Sequence, residues 1–254
     1  VNEAEAIAMV GERLARARCV VVLTGAGVSA ESGIRTFRGT MDGLWKEFDP
    51  QRLATPEAFE ADPETVTRWY DHRRLGCLVA EPNPGHLALA RLESRLGEMG
   101  REFLLATQNV DRLHQRAGSR RVLELHGSIM EWRCTATGRK MTPPPEPMPV
   151  FPPPSPFAPG ALLRPDVVWF GEMLPFEVFG EAEGASRRCD LFLSVGTSSV
   201  VFPAAGLIRT AAAHGAFTVE VNRERTPASV WVDVSLEGLS GEILPRLVDA
   251  AFPP

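Results

Sequence analysis

The chain has 254 residues, 44% of them hydrophobic and 23% charged, which is globular composition sufficient for one large α/β domain with a subsidiary lobe. A net charge of −5 excludes nucleic acid or an anionic membrane surface as a partner expected on electrostatic grounds. No uninterrupted apolar run reaches the length of about 18 residues that reads as a membrane span, and the first residues show no basic-then-apolar leader.

Asn2 reads as the N-cap of a first helix, in which Ile7, Val10, Leu14 and Ala17 recur at helical spacing. A strand over Cys19–Thr24 then opens into the turn Gly25-Ala26-Gly27-Val28-Ser29-Ala30, and residues from Gly33 to about Thr55 carry no clear periodicity. Asp62 as N-cap and Pro63 as first helical residue predict a second helix running to about Ala80. Pro82-Asn83-Pro84-Gly85 breaks it, and a third, amphipathic helix is expected over His86–Leu96. Apolar runs over Phe103–Ala106 and Val122–Leu125 end in Thr107-Gln108-Asn109-Val110-Asp111 and in His126-Gly127. Residues 134–165 differ sharply, with ten prolines among 143–160, and predict a small extended lobe or a flexible loop. A proline-rich ligand for a partner domain is the second reading of that segment. The sheet is expected to resume at Val167-Val168-Trp169-Phe170, and strands over Leu191–Val195 and Phe217–Val221 end in Gly196-Thr197-Ser198 and Asn222.

Buried parallel strands read as continuous apolar runs, and an open α/β sheet binds its ligand beyond the carboxyl ends of the strands. Five such runs ending in glycines, amides, hydroxyls and an imidazole therefore describe a nucleotide pocket that holds a base. The Gly25–Ala30 turn matches a dinucleotide fingerprint, in which small residues let the backbone approach a pyrophosphate. A dehydrogenase would next need a helix, a strand and an acidic ribose partner. Gly33-Ile34-Arg35-Thr36-Phe37-Arg38 reads as a loop instead, which disfavours hydride transfer. His126 is the catalytic candidate because it ends an apolar run and precedes glycine at the crevice mouth. Asn109 and Asp111 contact ribose hydroxyls or an amide on one reading, and cap the following helix on the other.

Taken in order, these residues resemble the sirtuins, NAD-dependent protein lysine deacylases. The resemblance rests on Gly-Ala-Gly-Val-Ser (25–29), Gly-Ile-Arg-Thr-Phe-Arg (33–38), Thr-Gln-Asn-Val-Asp (107–111) with His114, and Leu-His-Gly (125–127). Val-Val-Trp-Phe-Gly-Glu (167–172), Gly-Thr-Ser (196–198) and Val-Asn (221–222) complete it. It implies a Rossmann-like parallel sheet with helices on both faces and a small inserted lobe. The large lobe would take about 1–35, 85–130 and 165–254, a helical insertion about 36–84, and a Pro-rich lobe about 131–164. NAD would be held by Gly25, Ala26, Gly27, Ser29, Ala30, Gly33, Thr36, Phe37, Arg38, Trp45, Gln108, Asn109, Val110 and Asp111. Gly196, Thr197, Ser198, Asn222, Arg223, Glu224 and Ser240 would complete the NAD site.

Catalysis would fall to His126, with Asn109 and Asp111. An acyl oxygen would attack the ribose carbon as nicotinamide leaves, and His126 would then activate a ribose hydroxyl. Nicotinamide and O-acyl-ADP-ribose would be the products. Val168, Phe170 and Gly171 would bind the acyl-lysine segment of a protein substrate as an extended strand. Tyr70 and Arg73, at i and i+3 on one face of the second helix, resemble the Tyr-x-x-Arg signature of sirtuins that remove succinyl and malonyl groups. A mono-ADP-ribosyltransferase and a weakly catalytic NAD sensor are the alternatives.

Sirtuins hold zinc with two Cys-x-x-Cys pairs. The four cysteines here, at 19, 77, 134 and 189, form no such pair. Cys134 takes the first ligand position and Thr137 the second. Counting back from Leu163-Arg164-Pro165 puts the other two on Pro156 and Pro159. Zinc is therefore not expected, and reduced thiols suit a cytoplasmic enzyme.

Overall fold

The computed structural model describes residues 2–35 and 49–253. Helix α1 (Glu3–Arg16) begins at Asn2 with a capping box, in which Asn2 accepts from the Glu5 amide and Glu5 reaches back to the Asn2 amide. Strand β1 (Cys19–Thr24) and the short helix α2 (Ala26–Ala30) follow. After α3 (Pro50–Leu53) and α4 (Pro56–Ala61) comes α5 (Pro63–Val79), capped by Asp62 with Pro63 in its first turn, as its sequence predicts. Helix α6 (Pro84–Glu98) starts earlier than its apolar periodicity suggests, because Asn83 caps it through the Gly85 and His86 amides.

Strand β2 (Glu102–Thr107), α7 (Leu113–Arg116) and β3 (Val122–Glu124) lead into β4 (Gly127–Cys134), β5 (Lys140–Met141) and β6 (Leu163–Val167). The chain ends through α8 (Phe176–Arg188), β7 (Leu191–Val195), α9 (Leu207–Ala213), β8 (Phe217–Asn222), β9 (Val234–Glu237) and α10 (Ser240–Ala251).

Six strands form one sheet in the order β3-β2-β1-β7-β8-β9, and every pairing is parallel. Helices cover both faces, so the strands have no solvent face and read as unbroken apolar runs. Val20 and Val22 of β1 pack with residues of α1, α6 and α10, while Val21 and Leu23 pack with α8 and α9. Each fully buried side chain of this size contributes roughly 1.5–3 kcal/mol.

A second sheet, β5-β4-β6, is antiparallel. The expected return to the main sheet at Val167–Phe170 does not occur. Strand β6 pairs with β4, and Val168 and Phe170 then leave the ladder to donate to the His126 and Ala54 carbonyls, each at 2.9 Å. Their apolar neighbours are buried instead in a third core with Trp69, Tyr70, Trp132 and Trp169. The proline-rich stretch makes one isolated bridge, Pro154 to Leu162, since proline cannot donate to a ladder.

The order of the main sheet reverses between β1 and β7, and the connections that leave the two strands in opposite directions make the crevice beyond their carboxyl ends. Two glycine loops meet there. The Gly27 amide donates to the Gly196 carbonyl at 2.8 Å, and a Cβ on Gly27 would lie 2.8 Å from the Gly196 Cα. Gly196 has φ +60°, and its own Cβ would lie 2.5 Å from the Val28 nitrogen. Gly138 shares the left-handed backbone, at φ +69°, with nothing within 4 Å of its Cβ position. Gly138→Ala should therefore cost about 1–2 kcal/mol from backbone strain alone. Gly196→Ala should cost a further ~1–3 kcal/mol from overpacking. Urea unfolding of the two variants checks this, and equal losses would show that the loop contact is not tight.

Candidate active site

The polar residues at the ends of β1, β2, β3 and β7 form one connected network. The Asn109 carboxamide donates to the Gly25 carbonyl and to Ser29 Oγ, both at 3.0 Å. Ser29 Oγ in turn donates to Asp111 Oδ2 at 2.7 Å, and Asp111 Oδ1 accepts from the Leu113 amide at 2.9 Å. Asn109 and Asp111 are both buried. Burial raises the Asp111 carboxyl above its usual range, against the lowering effect of these hydrogen bonds and of the Arg73 charge. Of the two readings of Asp111 the structure bears on the second: one oxygen accepts from the first amide of α7, and the other accepts from Ser29.

His126 follows β3 and stands half-buried at the crevice. Its Nδ1 lies 3.1 Å from the Gln108 carbonyl oxygen. A carbonyl only accepts, so Nδ1 carries the proton and Nε2 keeps its lone pair. Burial lowers the imidazole pKa below 6.5, with the Gln108 contact opposing it, and the ring is neutral at pH 7. This is the tautomer and the charge state that a general base needs.

Gln108 ties the two halves of the sheet together, donating through Nε2 to Thr197 Oγ1 at 3.1 Å. Thr197 also accepts from the Ser199 amide at 3.2 Å, which orders the Gly196–Ser198 turn. Beneath these groups, the Thr24 hydroxyl donates to Thr107 Oγ1 at 2.8 Å and lies 2.9 Å from His114 Nε2. The His114 ring stacks obliquely on His86, 4.7 Å between centroids. Burial drives the pKa of His114 well below the ordinary histidine value and pushes His86 down to about 4.

A cavity of about 270 Å³ brings together six of the residues expected at the NAD site: Gly27, Ala30, Gly196, Asn222, Arg223 and Ser240. Glu31 and Leu239 line it as well and were not anticipated. Glu31 accepts from Ser240 Oγ at 2.5 Å and from the Gly241 amide at 3.1 Å. Its place directly after Ala30 was the available signal. Asn222 donates to the Glu224 carbonyl at 2.9 Å, which sets the turn after β8. Gly25 caps α2 and Ala26 begins it, and Gly33, at φ +81°, lies just past its end. The Val110 carbonyl accepts from the Ile129 amide at 3.0 Å, and the Val110 side chain packs on the third core. Thr36, Phe37, Arg38 and Trp45 lie outside the described residues. Gly25, Gly27 and Gly196 have no room for a Cβ, because each Cβ would meet the facing loop, and the first of these loops carries the glycine pattern of a dinucleotide turn.

On α5, Tyr70 is 2% exposed, inside a cluster with Trp69 and Trp169, and burial raises its pKa to about 12. Arg73 lies 4.7 Å over the Trp69 ring and 5.7 Å from the Tyr70 ring. Its charge acts to lower the pKa of Asp111 and of Cys77, so the guanidinium lies within electrostatic range of both. Gly171 is exposed at φ +88° beside the half-exposed Phe170. A larger cleft of about 1250 Å³ takes in Val168 and Trp169 but none of Asn109, Asp111 and His126. Its size does not make it the place of chemistry.

The metal position does not fit a metal. Hydrogen bonds from Ser155 and Thr137 lower the Cys134 thiol to about 7, and the prolines counted to the other two positions offer no side-chain donor atom for a metal. One thiol and two hydroxyls do not make a structural zinc site. Among the described residues no group of three His, Cys, Asp or Glu side chains is arranged to hold a metal ion.

Comparison with known proteins follows the same pattern. The chain is 50% identical over 242 residues to NAD-dependent protein deacylase 2 of Pyrobaculum aerophilum, covering 94% of each. It is 43% identical over 258 residues to the mitochondrial NAD-dependent protein deacylase sirtuin-5 of Xenopus tropicalis, covering 93% of this chain and 83% of that one. A crystal structure of a Sir2 homolog–NAD complex superposes with a TM-score of 0.88 at 44% identity, covering 96% of this chain and 93% of the other. The model of the Sir2 family matches residues 25–203, the stretch that runs from the first glycine loop past the second, and the chain belongs to the Sir2 family.

Proposed function

We propose that this chain is an NAD-dependent protein lysine deacylase that prefers succinyl- and malonyl-lysine and retains acetyl-lysine as a weaker substrate. The observation that carries the reading is a base at His126 whose Nδ1 faces the Gln108 carbonyl, together with an Arg73 guanidinium set over the Trp69 ring and near enough to Asp111 to act on its carboxyl. The two glycine loops and the cavity bounded by Asn222 and Ser240 support NAD as the co-substrate. NAD supplies an electrophilic ribose carbon with nicotinamide as leaving group.

The roles of this chain's residues follow from their contacts. Gly25, Gly27 and Gly196 give the dinucleotide backbone access, and Gln108 with Thr197 keeps the two loops in register. Asn109 and Asp111 orient the reacting end. His126 Nε2 takes a proton, and Gln108 stabilises the resulting imidazolium through Nδ1. Arg73 would pair with the terminal carboxylate of the acyl group, a charge-assisted bond worth about 1.5–3 kcal/mol. The buried Tyr70 supports Arg73 from one face and offers its hydroxyl beside it. Val168, Phe170 and Gly171 take the substrate strand. Because the Val168 and Phe170 amides already donate inward, the pairing must use carbonyls and Gly171.

The division into a large lobe, a helical insertion and a Pro-rich lobe belongs to this reading, with the substrate between lobes. Four free cysteines support a reducing, cytoplasmic setting. Among the described residues no helix is long and apolar enough to cross a membrane.

His126→Ala should keep the fold and NAD binding and lose at least about a hundredfold in deacylation, measured on purified protein. Turnover at the wild-type rate would remove His126 from the mechanism. Only the neutral imidazole is a base, and its pKa is depressed. The acid limb of kcat/KM should accordingly fall below 6.5, and a limb above 6.5 would contradict the assigned environment.

Arg73→Met should lower desuccinylation by roughly ten- to a hundredfold and leave deacetylation nearly unchanged. Equal loss on both substrates would make Arg73 structural, and a wild-type preference for acetyl-lysine would reject the acyl specificity.

A further inference from the structure

The proline-rich segment forms no helix and, apart from one isolated bridge, no ladder, and a buried ion pair on α5 grips it. Asp71 and Arg74 on α5 form an ion pair at 2.7 Å, with side chains 3% and 2% exposed. Arg74 Nε donates to Asp71 Oδ1 at 2.8 Å. Its Nη1 donates to the Pro144 carbonyl at 2.7 Å and its Nη2 to the Glu146 carbonyl at 2.8 Å. Asp71 Oδ2 closes the clamp by accepting from the Met148 amide at 3.1 Å. Three backbone groups within five residues are thus satisfied by one buried pair. Met148 and Phe151 pack onto the third core beside it, and the Arg68 guanidinium lies 4.8 Å over the Phe151 ring.

Proline explains why the clamp takes this form. A segment of such composition leaves its carbonyls without ladder partners, and a guanidinium fork satisfies two carbonyls with fixed geometry. A buried ion pair repays its desolvation only when its remaining donors and acceptors are bonded, a condition met here by contacts to backbone.

The same helix turn carries the acyl-recognition pair. Residues 67, 71 and 74 form one stripe of α5 and residues 70, 73 and 77 the adjacent stripe. The face that grips the segment and the face that carries Tyr70 and Arg73 therefore cannot move independently. We propose that Asp71 and Arg74 are positioning residues that tether the proline-rich segment in place of a metal, and so hold Tyr70 and Arg73 in register with the crevice. The second half of this proposal rests on the assignment of Arg73 to the acyl carboxylate.

The test uses the purified full chain and Arg74→Lys, which keeps the charge and removes the fork. Asp71→Asn, nearly isosteric, is the second variant if the first does not fold. Hydrogen exchange is followed at the Met148 amide and at the amides of β1 and β7. Kinetics are measured on succinyl- and acetyl-lysine peptides. In the wild-type protein, elemental analysis should find no stoichiometric zinc, and EDTA should leave Met148 exchange unchanged. In Arg74→Lys, Met148 exchange should accelerate at least about tenfold while the strand amides keep their protection. KM for the succinyl peptide should rise at least about threefold and that for the acetyl peptide less than about twofold, with kcat little changed.

Unchanged Met148 exchange in a folded variant, or exchange accelerated by EDTA, would overturn the tether. Equal KM changes for both peptides would overturn the positioning role. An Arg73→Met enzyme with unaltered selectivity would instead overturn the Arg73 assignment, leaving the exchange measurement to judge the tether.

Discussion

The rest of this molecule depends on two glycine loops touching at the point where the sheet reverses its order. With no Cβ on either side, Gly27 and Gly196 approach until their backbones hydrogen-bond at 2.8 Å. That contact fixes the spacing between the ends of β1 and β7. The spacing lets Gln108 reach Thr197 and lets Asn109 reach the Gly25 carbonyl. Asn109 then places Ser29, and Ser29 places Asp111. A methyl group at the contact would propagate along this chain of hydrogen bonds, since each member is held by the one before it.

Around that contact, burial pushes several ionisable groups of the crevice toward their uncharged forms. Burial lowers the pKa values of His126, His114 and His86 and raises that of Asp111, so each shift favours the uncharged form. A low-charge, hydrogen-bonded pocket preserves a proton acceptor at His126 and lets one introduced charge matter. Arg73 is such a charge, and the proposed preference for acidic acyl groups rests on it. The large cleft is different in kind. Its walls carry compensated ion pairs, Arg112 with Glu131 and Arg133 with Asp166, at 3.0 and 3.4 Å.

Much of this was legible in the sequence, because the central strands are buried on both faces and show as apolar runs with polar ends. The caps Asn2 and Asp62 marked helix starts for a local reason, a side chain accepting backbone amides. What escaped depends on distant partners. Strand β9, Val234–Glu237, is short and half polar, and only pairing with β8 makes it a strand. Val167–Phe170 has strand composition, yet its apolar side chains are claimed by the tryptophan cluster. The pairing of Ser155 with Cys134 could not be counted along a proline-rich segment, whose path is set by Arg74 and Asp71 on another element. Glu31 reached the cavity through α10, about two hundred residues away in sequence.

The central claim is that this crevice moves an acidic acyl group from lysine to the ribose of NAD. Mass spectrometry of a reaction containing wild-type protein, NAD and a succinyl-lysine peptide tests it most directly. The account predicts free lysine peptide with nicotinamide and O-succinyl-ADP-ribose in equal amounts, formed faster than the acetyl product from a matched acetyl peptide. Unmodified succinyl peptide together with ADP-ribosylated protein, or no turnover of NAD at all, would contradict it.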